Sequence, residues 1–282
     1  MGVLEQDIVF FKGDKVKTKG FFLVVVLLLV TGGFAQAAEK DLGATVDVTW
    51  VSKYIWRGID MLDDKAAIQP SVDLDLWGTG FHANLFMSYA GSAGDTNTGL
   101  SRVDATEYRY GLSYQGTHCE GQSMQVDYFA QWIYYDFIDQ ATRIRDAQEW
   151  GAGFAMPNII GNGWVPSYYI GKIYPTRSNS VLGGQAEGWV HVIGLDYAMK
   201  LAPIMPDTAE QPLLLGAALV YNDGFAGATV KHDWSHVTWS AKAPLDMGGF
   251  TLTPGVYYQT SMEDSVNTED ELYASLSTTF KF

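Results

Sequence analysis

Long runs of alternating apolar and polar residues are the feature that most restricts the folds open to this chain. In residues 106–115, tyrosines and a leucine alternate with charged and polar side chains, and the same two-residue period returns in 44–57, 71–76 and 81–89. A period of two places alternate side chains on opposite faces of a β-strand. Clusters of Gly, Asp, Asn, Ser and Pro separate the runs. The pattern therefore predicts an antiparallel all-β protein whose strands have one apolar and one polar face.

The length of these runs favours a transmembrane β-barrel over a soluble one. Transmembrane strands need about nine to eleven residues, whereas strands of soluble sheets most often have about five or six. Aromatic residues also lie near the predicted strand ends, which is typical of the interfacial girdles of outer-membrane barrels. These residues are Trp50, Tyr54, Trp56, Trp132, Tyr134, Tyr135, Tyr257 and Tyr258. A soluble periplasmic β-protein is the alternative fold, because alternation does not tell which face meets water.

The spacing of the runs predicts twelve strands in an up-and-down barrel. We place them at 44–57, 66–77, 79–90, 104–116, 122–136, 146–157, 164–175, 187–198, 213–222, 234–242, 249–259 and 271–282. Longer connections alternate with shorter ones, as in barrels with long outer loops and short periplasmic turns, which places both termini in the periplasm. Only 199–212 breaks the alternation. It is either a long turn or a sign that the strand number lies elsewhere between about 10 and about 14.

The first 37 residues have the pattern of a secretory signal peptide. Lysines precede an apolar core at 21–30, and Ala35-Gln36-Ala37 supplies a small-residue cleavage site. An uncleaved N-terminal anchor is the alternative, although this core is too short for a spanning helix. Residues before Val16 do not resemble a basic leader, so translation starting at Val16 is a further hypothesis. The predicted domains are the signal peptide, 1–37, and the exported barrel, 38–282.

Composition excludes several classes of protein. The chain has 32 acidic and 18 basic residues, a formal charge of −14, and loss of the leader's four lysines and three acids changes this to −15. Such a charge opposes nucleic-acid binding, which needs basic clusters. An aromatic content of 14% is incompatible with a disordered acidic chain. Cys119 is the single cysteine, so no internal disulfide is possible.

The sequence predicts no enzyme, no cofactor and no metal site. We find no nucleophile elbow, no phosphate loop and no nucleophile–base constellation. His232 and His236 are four residues apart, which is a metal-binding spacing on a helix, but on a strand this separation is about 13 Å. His118 and Cys119 fall in a predicted short turn, where we expect an exposed free thiol.

Charged residues on the polar faces of the strands are the candidate functional residues. An Arg or Lys facing lipid at the midplane costs about 2 to 4 kcal/mol, so we expect these side chains to line the barrel interior. They are Asp47, Lys53, Arg57, Asp73, Asp75, Glu107, Arg109, Asp127, Glu149 and Glu271. The preferred interpretation is a narrow aqueous pore whose acidic excess concentrates cations. The alternative is an interior plugged by salt bridges.

The last predicted strand carries a candidate assembly signal. Its apolar face ends in Phe280 and Phe282, a pattern similar to the C-terminal signal that the barrel assembly machinery of bacterial outer membranes recognises. That machinery, outer-membrane lipid with lipopolysaccharide, and small hydrophilic solutes are the predicted partners. Acidic residues such as Asp60 and Asp64 are expected in the outer loops.

The first hairpins carry a family resemblance. Residues 52–58 read Ser-Lys-Tyr-Ile-Trp-Arg-Gly, 67–73 read Ala-Ile-Gln-Pro-Ser-Val-Asp, and 80–84 read Gly-Phe-His-Ala-Asn. The stretch 44–90 resembles the opening of the TorF-like porins of Gram-negative bacteria, which usually have glycine where this chain has Pro70. The resemblance implies a small outer-membrane porin.

The predicted function is passive diffusion of small hydrophilic solutes through the barrel with a weak cation preference. A non-conducting structural or adhesion barrel and a lipid-modifying barrel enzyme are the alternatives.

Overall fold

Antiparallel strands make up nearly all the regular structure of the computed structural model, which describes residues 42–90, 106–137, 146–176, 187–201, 210–225, 232–264 and 266–282. The strands are β1 (Gly43–Val51), β2 (Ile55–Trp56), β3 (Ile59–Asp60), β4 (Ala67–Asp75), β5 (Phe81–Ala90), β6 (Glu107–His118), β7 (Val126–Asp136), β8 (Ala147–Ala155), β9 (Trp164–Pro175), β10 (Gly188–Leu201), β11 (Gln211–Asp223), β12 (Asp233–Lys242), β13 (Leu245–Asp246), β14 (Thr251–Ser261) and β15 (Glu271–Lys281). No helix within these ranges is long and apolar enough to cross a membrane.

Twelve of these strands close into a barrel. Each pairs with its neighbour in sequence from β4 to β12, then β12 pairs with β14 and β14 with β15. The ring closes because β1 pairs with both β4 and β15. The short β13 continues along β14 where β12 ends. The predicted all-β fold, an up-and-down barrel of twelve antiparallel strands, is confirmed. Within the described residues, closure leaves the twelve-stranded ring without an unpaired edge strand.

Alternation along each strand separates the two faces of the barrel wall. On β1, Val48 and Trp50 are exposed on the outside, while Val51 is completely buried within. The outer face presents many large apolar side chains, including Leu112, Trp150, Ile193, Trp239, Val256 and Leu272. The inner face carries the buried charged and polar residues. The barrel wall thus has an apolar outer face and an inner face that carries charged and polar side chains.

The up-and-down order defines two ends of the barrel. We call the end that holds 76–80, 119–125, 156–163, 243–250 and both barrel termini the turn end. The opposite end, with 52–66, 262–264 and 266–270, is the loop end. The predicted leader, 1–37, and much of the predicted longer loops lie outside the described residues.

Several predicted strand boundaries were wrong, and three of them matter here. The structure extends β10 to Leu201 and starts β11 at Gln211, so the exceptional connection 199–212 shortens to 202–210. The first strand does not continue to residue 57 but ends at Val51. Just after this end, the Ser52 hydroxyl accepts a hydrogen bond from the Ala274 amide of β15 at 2.9 Å, in place of a backbone carbonyl.

Residues 52–66 then form a loop that folds into the barrel, which we call the inserted loop. Its tip is the hairpin of β2 and β3. Arg57 and Gly58 occupy the two turn positions with φ values of 50° and 83°, the left-handed conformations that a tight two-residue hairpin requires. Tyr54 is buried inside the barrel rather than placed in an interfacial girdle as predicted.

Candidate channel lumen

The inserted loop reaches strands on several sides of the ring. Lys53 Nζ lies 2.8 Å from Glu271 on β15, and the Tyr54 hydroxyl donates to Glu107 on β6 at 3.0 Å. Arg57 pairs with a residue of β8. The Gln259 amide on β14 donates to the Gly58 carbonyl at 3.1 Å. Since β6, β8, β14 and β15 are distributed around the barrel, the loop crosses its interior.

The centre of this crossing is a buried ion pair. Arg57 Nη2 lies 2.6 Å from Glu149 Oε1, and both side chains are almost completely buried. The hydroxyls of Tyr135 and Tyr169 also donate to the Glu149 carboxylate. A buried carboxylate with an ionic partner and two hydroxyl donors is well compensated for the loss of water. Glu149 therefore depends on Arg57 for its charge balance.

A second buried pair stands on β6. Arg109 donates through Nε to Glu107 and through Nη2 to the Tyr54 hydroxyl. Its guanidinium also lies 4.8 Å from the ring centroid of Phe86 and 4.9 Å from that of Tyr135, within the range of cation–π attraction. Tyr54 thus joins the inserted loop to a charged pair that belongs to the wall.

Aromatic packing fills the remaining space at the loop end. The ring of Trp56 contacts that of Phe225 at a centroid distance of 5.2 Å and that of Tyr135 at 5.5 Å. Ile55 forms a separate buried cluster with Tyr257 and Tyr273. Together with the ion pairs, these contacts leave the side chains of Tyr54, Ile55 and Arg57 almost completely buried.

A polar group lies beside the packed tip of the inserted loop. It consists of Lys53, Asp60, Asp64 and Glu271. The carboxylates of Asp60, Asp64 and Glu271 lie within 4.8 Å of one another, a spacing that could hold a metal ion. However, the Lys53 ammonium already contacts Asp64 and Glu271. Hydrogen bonds to these two carboxylates raise the pKa of Lys53, and burial raises the pKa of Asp60. A lysine cation therefore occupies the place that a metal would take.

The lumen at the turn end is of a different kind, with half-buried acids and small side chains. Asp47 accepts hydrogen bonds from Thr49 and Thr279, each at 2.6 Å. Asp73 lies 2.8 Å from His82 Nδ1. Small residues share this inner face at positions such as Gly153, Gly194, Gly216, Gly255 and Ser277.

Other acids add to this turn-end set. Asp75 accepts from the Gly78 amide at 2.8 Å, and Asp127 from the Gln125 side chain at 3.0 Å. Asp196 lies close to Gly216, because a Cβ atom added at Gly216 would be 2.8 Å from Asp196 Oδ1. Lys242 lies among them, buried at the end of β12 with its Nζ 5.9 Å from the centroid of the Tyr257 ring. Lys200 and Lys281 lie exposed toward the rim. The turn-end lumen is thus acidic, whereas charges at the loop end are paired.

The structure divides the predicted pore-lining residues between these two regions. Lys53, Arg57, Glu107, Arg109, Glu149 and Glu271 meet at the loop end, and Asp47, Asp73, Asp75 and Asp127 lie at the turn end. Lys53 and Arg57 were predicted to lie on a strand, and this was wrong because both belong to the inserted loop. Their partners are distant in sequence, so no local pattern placed them.

Sequence reasoning missed several residues of the lumen. Two of them are the tyrosines that donate to Glu149: Tyr135 was predicted to lie in an interfacial girdle, which was wrong because it is buried inside the barrel, and Tyr169 was not singled out. A possible signal was glycine on the polar face: a side chain at Gly151 would overlap Tyr169, and one at Gly171 would lie 2.5 Å from Glu149 Oε1. Glycines on the inner face thus mark where tyrosines lie flat against the wall.

Two motifs singled out in the sequence have structural positions of their own. His236 is buried on β12 with Ser235 Oγ 2.7 Å from its Nδ1, and it lies against Gly58 of the inserted loop. His232 is exposed and contacts Asp223 instead. Cys119 is a half-buried free thiol in the turn after β6.

Comparison with known proteins supports the fold. No protein-family model and no curated protein sequence matches the chain. Among solved structures, the NanC porin is similar with a TM-score of 0.52 and 9% identity, covering 84% of this chain and 100% of its own. An outer-membrane channel from Pseudomonas putida F1 has a TM-score of 0.50 and 12% identity, covering 90% and 100%.

A third similar structure, the KdgM porin in complex with disordered oligogalacturonate, has a TM-score of 0.49 and 8% identity, with 84% of this chain and 99% of that chain covered. The likeness to the first two structures, at TM-scores of 0.52 and 0.50, concerns the fold alone at these identities. The chain therefore has the barrel fold of outer-membrane porin-like channels.

Proposed function

We propose that this protein is an outer-membrane channel for passive diffusion of small hydrophilic solutes, with a weak preference for cations. The observation that carries the proposal is the acidic inner face of the turn end within a closed barrel whose outer face is apolar. Half-buried Asp47, Asp73, Asp75 and Asp127 on this face remain in contact with solvent. An excess of acidic groups in a confined aqueous space raises the local concentration of cations.

The test is conductance of the refolded protein in planar lipid bilayers. Under a gradient of potassium chloride, a cation-preferring channel gives a reversal potential with the sign of the potassium equilibrium potential. A reversal potential of chloride sign contradicts the cation preference. Absence of conductance in the wild type and in variants with a disrupted loop end contradicts the channel, and favours the non-conducting barrel that the plugged loop end suggests.

We further propose that the turn end faces the periplasm, as the alternation of connection lengths suggests. Cys119 provides the probe, because it is the only cysteine and lies in a turn of that end. A membrane-impermeant maleimide added to intact cells is expected to leave Cys119 unlabelled until the outer membrane is permeabilised. As the control, Asp64→Cys with Cys119→Ser places a thiol at the exposed loop end and should be labelled at once.

Phe280 and Phe282 are proposed as the signal for the barrel assembly machinery. Phe282 is exposed beside the first strand, with its amide 2.8 Å from the Ala44 carbonyl. Phe282→Ala is expected to lower the amount of heat-modifiable barrel in the outer membrane. We also propose that the chain is a member of the TorF-like porins, which residues 52–58 support. Contact of the barrel with lipopolysaccharide is proposed as well, and the apolar outer face supports it.

A further inference from the structure

The base of the inserted loop is closed by the barrel itself. Val51 at the end of β1 pairs directly with Ala67 at the start of β4. Residues 52–66 are therefore an excursion from a completed hairpin. Movement of the loop out of the lumen breaks none of the ladder between β1 and β4, so the barrel keeps its closure.

The contacts that hold the loop tip inside are side-chain contacts for the most part. The Gly58 carbonyl accepts from the Gln259 side chain, and Arg57 reaches Glu149. The apolar anchors are Ile55 and Trp56. Each of these contacts can form or break without unfolding a strand.

The Arg57–Glu149 pair is the contact with the largest consequence. A buried ion pair gains little over apolar replacements, but removal of one partner leaves the other charge buried without its counter-charge. A charge in that position is stabilised by admitting water, which requires the loop to leave the lumen. This pair therefore makes the docked position conditional on both charges.

We propose that the inserted loop is a gate, and that the Arg57–Glu149 pair is its latch. With the latch formed, the loop closes the lumen at the loop end; with the latch broken, the loop moves outward and joins the acidic turn-end lumen to the outside. This inference rests on the proposed channel function and adds its regulation.

The experiment compares conductance of the wild type with that of Arg57→Met, Glu149→Leu and the double variant. Each single change is expected to raise the open fraction by at least about tenfold, since one buried charge loses its partner. The double variant, which leaves no lone buried charge, is expected to return toward the wild-type value. Lys172→Met is the matched control: it removes the 3.0 Å ion pair with Glu187, which lies outside the lumen, and should leave conductance unchanged.

Hydrogen–deuterium exchange of peptides from 52–66 gives a measure of loop position that does not depend on conductance. Exchange in this segment should accelerate in the two single variants and not in the double variant or in Lys172→Met. Heat-modifiable migration in gels shows that each barrel is folded. If a single variant fails this check, Glu149→Gln replaces it, because it removes the charge and keeps the volume.

The outcomes separate the two proposals. Equal conductance and equal exchange in all variants overturn the gate and leave the channel function in place. Faster exchange without conductance in any variant overturns the channel and the gating role with it. A double variant as open as the singles also overturns the latch, because the effect then follows from lost packing rather than from an unpaired charge.

Discussion

The two ends of the lumen are built from the same strands but differ in how deeply their charged side chains are buried. At the loop end, the charges are buried and paired, as Arg57 with Glu149 and Arg109 with Glu107, and aromatic rings fill the gaps. At the turn end, acids such as Asp47 and Asp73 are half-buried among small residues. The inner face of one barrel therefore combines a core like that of a soluble protein with a half-buried acidic region, which we call the vestibule.

This difference teaches that residue type alone does not define the role of a lumen charge. Glu149 lies 2.6 Å from the guanidinium of Arg57, and Asp73 lies 2.8 Å from the imidazole of His82. The side chain of Glu149 has no exposed surface, so it contributes to packing and latch formation, whereas that of Asp73 keeps contact with solvent and contributes to the field of the vestibule. The degree of burial therefore determines whether an acidic side chain of the lumen contributes to packing or to the electrostatic field.

The strongest contrast is expected from removing one acid at each end. Glu149→Ala leaves the Arg57 charge buried and should lower the free energy of unfolding by about 3 to 5 kcal/mol. Asp73→Ala should cost only about 1 kcal/mol, because His82 can become neutral and remains partly solvated. Urea unfolding of protein refolded into phospholipid vesicles measures both. Equal losses would contradict the division into a packed and a hydrated end.

Packing at the loop end can be probed through glycine. Gly151→Ala places a methyl group against Tyr169 and should destabilise the barrel by about 1 to 3 kcal/mol. Gly249→Ala is the matched control, since nothing lies within 4 Å of the added atom at that turn-end position, and its effect should stay within about 0.5 kcal/mol. The same unfolding measurement applies. A neutral Gly151→Ala would show that Tyr169 is free to move away.

A smaller effect is expected from one hydrogen bond of the vestibule. Thr49→Val removes the hydroxyl that donates to Asp47 at 2.6 Å, and this should cost about 0.5 to 1.5 kcal/mol. Thr279→Val is the comparison, because it removes the second threonine donor to the same carboxylate. Thermal unfolding followed by gel migration should rank both below Gly151→Ala. A loss as large as that of Glu149→Ala would mean that Asp47 belongs to the packed region.

The smallest effect concerns selectivity. Asp47→Asn with Asp73→Asn removes two charges from the turn-end lumen, and the ratio of cation to anion permeability should fall by about twofold, equivalent to about 0.4 kcal/mol. Glu187→Gln, outside the lumen, is the control and should leave the ratio unchanged. Reversal potentials measure both. An unchanged ratio in the double variant would place the selectivity elsewhere.

Much of the fold was predictable from particular runs of residues. In β6, the alternation of Tyr108, Tyr110 and Leu112 with Glu107 and Arg109 assigned both faces of the strand. The spacing of the runs predicted twelve strands, and the alternation of longer and shorter connections agreed with an up-and-down barrel. The facing ends of β10 and β11 were predicted wrongly, because the prolines in this segment suggested that strand pairing stops earlier than it does.

The sequence by itself determined the barrel and the set of side chains that point inward, because a two-residue period is a local property of an extended chain. Only the tertiary structure decided that residues 52–66 leave the wall. Their alternation through Tyr54 and Trp56 looks like more strand, yet Arg57 finds its counter-charge on Glu149, 92 residues away. This ion pair stabilises the protein only after the barrel has closed around the loop. Closure depends on contacts between distant residues, so a local sequence pattern does not predict the pair.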